Sequence, residues 1–390
     1  MARKKTGGVL GKRDKAEGKR ETAGGVGGAA APDASSLIDK AHTLLAQSNF
    51  ELAIKFLERA LALDPADLEA RELVGVAELE GGDAELGREH LLKLLPPHTT
   101  EPPAHPSPYL YLAQTAATPQ EALGYYSTAT AMIEQKFAKG KGREEVQDDE
   151  EKKMAVTALV AMIEIWMTDL CFEENAEANC DSLIGRALSI SPMNPEARIS
   201  LASIRMSQSR FQEAKDAVMS LYEEIQGKEP FDESLPPLPA RLLLTRLLLE
   251  HSLHLQALDI LSTVREEDSL QVEGAYLEGW ALYLRAEHLA ENPETKVDQD
   301  NDNNEEMMTM EECYSEAMSS LLECANYYTE QEYEDEGIGN HVKELLELLE
   351  AKGIKPVAVE EEEEEEGEGE GGEGGADWED LDEEGDVEMA

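Results

Sequence analysis

Residues Arg59–Arg71 read R-A-L-A-L-D-P-A-D-L-E-A-R, and residues Arg186–Arg198 read R-A-L-S-I-S-P-M-N-P-E-A-R. In each copy small and apolar residues alternate up to a break, a proline occupies the break, and Glu-Ala-Arg opens the next segment. Pro65 and Pro192 carry no N–H, so each suits the stop between two helices. A thirteen-residue echo of this form predicts repeated helix pairs rather than one globular core.

Outward from these blocks the pattern continues. From Leu37 to about Thr329 the sequence runs in amphipathic stretches of ~12–15 residues, the length of packed helices. Alternating runs of Val, Ile and Thr are few, which argues against strands. Aromatic residues are only 5% of the chain, which suits helices packed through Ala and Leu.

The spacing resembles the tetratricopeptide family, whose repeat is a helix–turn–helix of about 34 residues. The first repeat falls at 34–67, with Ala41, Ala53, Leu57, Ala60 and Pro65 at the small, small, large, small and proline positions. The second, 68–101, contributes Leu73-Val74-Gly75 and Leu91; a third contributes Leu112-Ala113, Ala122, Tyr126 and Ala129. The fourth, 161–194, supplies Cys171, Cys180, Ile184, Ala187 and Pro192; the fifth, 195–228, supplies Leu201-Ala202, Ala214 and Val218. Leu244, Ala257 and Leu261 mark a sixth at 238–271, and Gly279-Trp280 with Ala317, Leu321 and Cys324 mark a split seventh. The large aromatic expected early in helix A is missing from most of them.

The expectation is an all-α chain: a tetratricopeptide-repeat superhelical solenoid of about seven degenerate helix-turn-helix repeats, with a disordered N-terminal arm and an acidic C-terminal tail. Its parts are a basic arm at 1–33, repeats one to three at 34–138, and a charged linker at 139–153. Repeats four to seven follow at 154–330, with an acidic insertion at 292–310, a capping helix at 337–353 and a disordered acidic tail at 354–390.

Charge narrows the function classes. Lys and Arg number 34 against 84 Asp and Glu, a formal net charge of -50. Such a chain repels phosphate backbones and anionic membranes and draws cationic partners, so no direct nucleic acid and no membrane partner are expected. No apolar run approaches the ~20 residues a membrane helix needs. The opening M-A-R-K-K-T-G-G lacks the apolar stretch of a secretory signal. Four cysteines fit free thiols in a reducing compartment.

Catalytic and metal chemistry find no constellation. Cys171 and Cys180 are nine apart and Cys313 and Cys324 eleven apart; zinc ligands usually pair within about two to four residues. His251 and His254 share a predicted helix face, without a third ligand. Gly367–Gly372 is glycine-rich but follows no strand and precedes no helix, so a phosphate-cradle reading fails. No enzyme, no cofactor and no metal are expected.

Three charged features remain. Projection of the repeat register puts Glu69, Glu72, Asp169, Glu173, Glu196 and Glu250 on the concave face lined by helix A, with Phe172 and Leu249 interleaved. That groove fits an extended basic peptide, through carboxylate–guanidinium bonds and apolar pockets. The tail runs Glu360–Glu366 and then A-D-W-E-D-L, where Trp378 and Leu381 are apolar anchors inside a polyanion. The arm carries Arg3, Lys4, Lys5, Lys12, Arg13, Lys15, Lys19 and Arg20, in two basic clusters that resemble a nuclear import signal.

Basic arm, degenerate repeats, acidic insertion and a tail with D-W-E-D-L-D-E-E together resemble the fungal dedicated assembly chaperones of large-subunit ribosomal protein four. The resemblance implies a basic ribosomal protein client, held by its long internal loop soon after synthesis, kept soluble and escorted into the nucleus. It implies residence in cytoplasm and nucleus, a monomer with one client, and contact with import machinery. Two alternatives share features of the sequence. An acidic histone chaperone has the tail and nuclear entry. A heat-shock co-chaperone scaffold would need Lys, Asn and Arg on helix A, where the first repeat has Ile38 and His42.

Overall fold

The computed structural model describes residues 33–139, 145–292 and 308–357. Regular structure there is helical throughout, with no strand among the described residues. The order is α1 (Ala34–Leu45), α2 (Phe50–Leu63), α3 (Leu68–Gly81), α4 (Ala84–Leu92) and α5 (Ser107–Gln114). Next come α6 (Pro119–Lys139), α7 (Glu145–Met167), α8 (Ala176–Ile190), α9 (Pro195–Ser207) and α10 (Phe211–Ile225). The last five are α11 (Leu238–Glu250), α12 (His254–Glu267), α13 (Val272–Glu291), α14 (Met310–Glu330) and α15 (Glu336–Ala351). Successive helices pack as pairs, from α1 on α2 to α13 on α14, and α15 closes the series.

The two echoed blocks fold alike. Asp64 N–H donates to Ala60 O at 2.9 Å and Ser191 N–H to Ala187 O at 3.0 Å, closing each helix. Across the proline, Asp67 N–H reaches Asp64 O and Asn194 N–H reaches Ser191 O, both at 3.2 Å. Asp67 and Asn194 then cap the next helix, accepting from Ala70 N–H at 2.8 Å and Ala197 N–H at 3.0 Å.

Turns inside the pairs use a different device. Ser48, Ser209 and Ser252 adopt φ of 55°, 59° and 58°, the left-handed region usually given to glycine. Each is followed by a residue whose N–H returns to the helix: Asn49 to Leu44 O, Arg210 to Arg205 O and Leu253 to Leu248 O.

Small residues set the helix spacing. A Cβ on Gly75 would lie 2.9 Å from Leu91 Cγ, and one on Gly279 would lie 2.6 Å from Leu321 Cγ. The expected repeat positions Ala41, Ala53, Leu57, Ala60, Leu112, Ala187, Ala214, Ala257 and Leu261 are buried. Burying one such leucine contributes about 1.5–3 kcal/mol, so the repeats are held by many modest interfaces. Cys180 and Cys324 pack as small apolar residues, with burial pushing the Cys324 thiol up to about 11.

The structure differs from the sequence reading in three places. The stretch 139–153, expected to be a linker, is helical from Glu145 onward because α7 runs unbroken to Met167. Lys136 of α6 meets Glu151 at 3.3 Å and Lys152 meets Asp149 at 3.3 Å, one pair between helices and one along α7. Cys171, expected in the fourth repeat's packing, is exposed in the turn after α7, because α7 ends at Met167, four residues before it. His251 and His254 sit on either side of the α11–α12 turn rather than on one face. The basic arm through residue 32, most of the insertion (293–307) and the tail from 358 lie outside the described residues.

Candidate functional site

The first helices of successive pairs form one layer: α7 packs on α9, α9 on α11, α11 on α13 and α13 on α15. Side chains stitch the same seam. His42 Nε2 of α1 is 3.3 Å from Glu69 Oε1 of α3, and His105 Nε2 is 3.1 Å from Glu72 Oε2 of α3. Farther on, Thr157 Oγ1 of α7 donates to Glu196 Oε2 of α9 at 3.2 Å, and Arg246 Nε of α11 donates to Glu273 Oε1 of α13 at 2.9 Å. Glu69 and Glu196 thus stand at junctions between neighbouring first helices, and Glu72 meets the loop that leads into α5.

In α11 every residue from Ala240 to Leu249 is buried except Leu243 and Arg246. With Glu250 these two make one exposed stripe at helical spacing. Leu249, predicted as an apolar groove residue, is instead 4% exposed in the core, because α11 is enclosed by neighbours on all sides but that stripe. Glu250 lies on the stripe and is exposed. Asp169, Phe172 and Glu173 sit outside the helix layer, in the turn between α7 and α8. Phe172 is 99% exposed. The structure therefore puts Glu69 and Glu72 one turn apart on α3 and Glu196 and Glu250 on the α7–α15 layer, while Asp169, Phe172 and Glu173 lie in the α7–α8 turn.

The layer also holds residues that the sequence did not assign to the groove. Tyr111 lies half-buried near Glu80 and Glu72; burial raises its phenol pKa and those carboxylates raise it further. On α13 the stripe Glu273, Tyr276, Trp280, Tyr283 and Glu287 follows helical spacing and carries three rings between two carboxylates. The insertion splitting this repeat hid the stripe from a register count.

Arginines hold the helices to one another. Arg88 pairs with Glu121 at 2.6 Å, Arg186 with Glu134 at 2.8 Å, Arg198 with Glu224 at 2.7 Å and Arg205 with Asp181 at 2.7 Å. Arg241 pairs with Glu267 inside the core, and Arg265 bridges Glu278 and Glu323. These cations are engaged at helix–helix contacts, so the carboxylate excess is what faces solvent. No group of three or more His, Cys, Asp or Glu residues that could hold a metal occurs among the described residues. No described helix is long and apolar enough to cross a membrane.

A tetratricopeptide-repeat family model matches residues 38–102. The probable assembly chaperone of rpl4 from Emericella nidulans is 30% identical over 370 residues, covering 92% of this chain and 91% of that protein. The chain belongs to the rpl4 assembly-chaperone family. Within that family, the probable assembly chaperone of rpl4 from Schizosaccharomyces pombe is 33% identical over 247 residues, covering 63% of this chain and 69% of the relative. The solved structure of the assembly chaperone of RpL4 (Acl4) superposes with a TM-score of 0.58 at 27% identity, covering 67% of this chain and 100% of that one. Most of the helical body described above therefore lies in the part shared across the rpl4 assembly-chaperone family.

Proposed function

We propose that this chain is an assembly chaperone whose client is ribosomal protein L4, held as a newly made basic protein and delivered to large-subunit assembly in the nucleus. One observation carries the physical side of this reading: arginines are engaged between helices while carboxylates line the layer of first helices. A cationic segment of the client lying along that layer would gain charge-assisted hydrogen bonds from several repeats. Its long basic loop is the proposed segment, bound by one monomer per client. Action is by binding and release, without catalysis; ribosomal RNA, with its denser phosphate array, takes the client over.

In this reading the client is captured in the cytoplasm, and the arm clusters at Lys4, Lys5, Lys12, Arg13, Lys19 and Arg20 engage import machinery. The acidic tail from Glu360 through Glu366, with Trp378 and Leu381, screens further basic surface of the client.

Affinity purification at moderate salt with mass spectrometry of stoichiometric partners tests the client. Recovery of one large-subunit ribosomal protein, weakened by Glu69→Lys and by salt raised from about 50 to about 500 mM, is the expected result. Stoichiometric histones or heat-shock chaperones in its place would overturn it. For delivery, replacing the six arm cations by alanine should reduce the nuclear fraction of a fluorescent fusion; unchanged partition would remove the arm from the account.

A further inference from the structure

Between α11 and α13 a cation already rests on an aromatic ring. The Arg246 guanidinium carbon lies 6.0 Å from the centre of the Tyr276 ring, and its Nε donates to Glu273 Oε1 at 2.9 Å. Tyr276 stacks on Trp280, with ring centres 5.8 Å apart and planes 19° from parallel. The two rings make one ledge along α13.

The far side of that ledge is filled from α15. His341 stands edge-on to Tyr276 at 5.7 Å and to Trp280 at 5.5 Å, and its Nδ1 is 2.8 Å from the Tyr276 hydroxyl. Because α13 packs on both α11 and α15, His341 and Arg246 approach from opposite sides. On the α11 side Arg246 covers only the Tyr276 half.

The Trp280 half lies one helix turn farther along α13. From Arg246 to Glu250 and from Tyr276 to Trp280 the step is the same four residues, about 6 Å of helix rise. Alternate helices of the stack run in the same direction, so counting that step from the Arg246–Tyr276 contact assigns Glu250 to the turn of Trp280. Glu250 is exposed, and it has no hydrogen-bond or ion-pair partner among the described residues. Trp280 is half-buried, held in place by Tyr276 and His341. By that count a ring and a carboxylate recur one turn on, and no cation rests on Trp280 among the described residues.

We infer that the α11-facing side of Trp280, with Glu250, is the seat for an arginine side chain from the bound cationic segment. This deepens the client reading above and rests on it. Indole is the strongest cation–π partner among the side chains, and a planar guanidinium stacks on it while still donating to a carboxylate. Lysine offers no such plane, so the seat favours arginine.

The test measures affinity of purified L4 for the full chain and for Trp280→Ala, Trp280→Phe and Glu250→Gln, with thermal melting to verify folding. Trp280→Ala should weaken binding about tenfold, Trp280→Phe and Glu250→Gln less, and the double Trp280→Ala/Glu250→Gln variant should lose less than the product of the two. Oligo-arginine and oligo-lysine peptides of equal length serve as a second probe, and Trp280→Ala should abolish the preference for arginine. If L4 binds and a folded Trp280→Ala variant stays within about twofold of the parent on both probes, the seat is wrong. If L4 fails to bind but the arginine preference depends on Trp280, the seat stands and the client reading falls.

Discussion

Lys352, the residue after α15, places its Nζ 2.7 Å from Glu287 Oε1 on α13 and 5.0 Å from the ring centre of Tyr314 on α14. Tyr314 donates its hydroxyl to the same Glu287 oxygen at 2.5 Å. One cation thus ties the last helix to both helices of the preceding pair. Hydrogen bonds from Lys352 and Tyr314 hold the Glu287 carboxyl below its ordinary range, and Glu287 holds the Lys352 ammonium above its own. The Glu287 contribution is present above the unfolded carboxylate pKa and is lost as pH falls through the lowered value. The Lys352 contribution is present below the unfolded lysine pKa and is lost as pH rises through the raised one.

Replacing Lys352 by Met should therefore cost about 0.5–1 kcal/mol near neutral pH, a modest figure because both side chains are partly solvated. Hydrogen exchange should quicken in α15 before α13. Equal quickening throughout the chain would deny the tie its local role.

Gly279 should tolerate no side chain. Gly279→Ala places a methyl 2.6 Å from Leu321 Cγ and 3.2 Å from Ala317 O, where α13 meets α14. Leu321 is fully buried and has no room to retreat, so about 1–3 kcal/mol of destabilisation is expected in urea unfolding. Adding Leu321→Ala should cost less in this variant than in the parent; strict additivity would place the strain elsewhere.

His254 gives the fold an acid sensitivity. It is buried, 5.9 Å ring to ring from His288; burial, then the His288 and Arg285 charges, lower its pKa to about 4. A neutral imidazole is thus favoured in the folded state, and the unfolded chain binds the proton more readily. Stability is full above the unfolded histidine pKa of about 6.5 and declines as pH drops toward the folded value. Between pH 7 and 5 the loss should be roughly 1–2 kcal/mol. His254→Leu should flatten that slope; an unchanged slope would assign it to other groups.

Burial separates two large side chains. Leu277 is completely buried in α13, and Leu277→Ala should cost about 2–5 kcal/mol. Phe172, almost fully exposed, should change stability by less than about 0.5 kcal/mol on conversion to Ala. Any loss of L4 affinity in a folded Phe172→Ala variant would make the α7–α8 edge part of the binding surface, and full affinity would confine that surface to the helix layer.

Helix pairing was legible because the tetratricopeptide pattern constrains what must be small and where chains must stop. Pro65 and Pro192 mark stops, and Ala53, Ala60, Ala187 and Ala257 mark close approaches that packing requires. Turns at Ser48, Ser209 and Ser252 were illegible, since serine stands where glycine is the recognised signal. The 139–153 stretch reads as a linker from its charges, and the part from Glu145 is helical, with Glu151 paired to Lys136 of α6 and Lys152 to Asp149. Within the site, Glu69, Glu72, Glu196 and Glu250 came from a register count that tolerates small shifts. Leu249 fell one residue off the exposed stripe of α11, and α7 ended four residues before Cys171. The ledge of Tyr276 and Trp280 needed α11 and α15 in place before its two sides could be told apart.

The unbroken course of α7 has a mechanical meaning. Over 23 residues it is a stiff rod about 35 Å long, where the sequence suggested a joint. Near its start Glu151 meets Lys136 of α6, and farther along Thr157 donates to Glu196 of α9. Any displacement along α7 is therefore carried as leverage onto α9 instead of being absorbed by a slack connector, so α6 and α9, which both pack on this rod, share its motion.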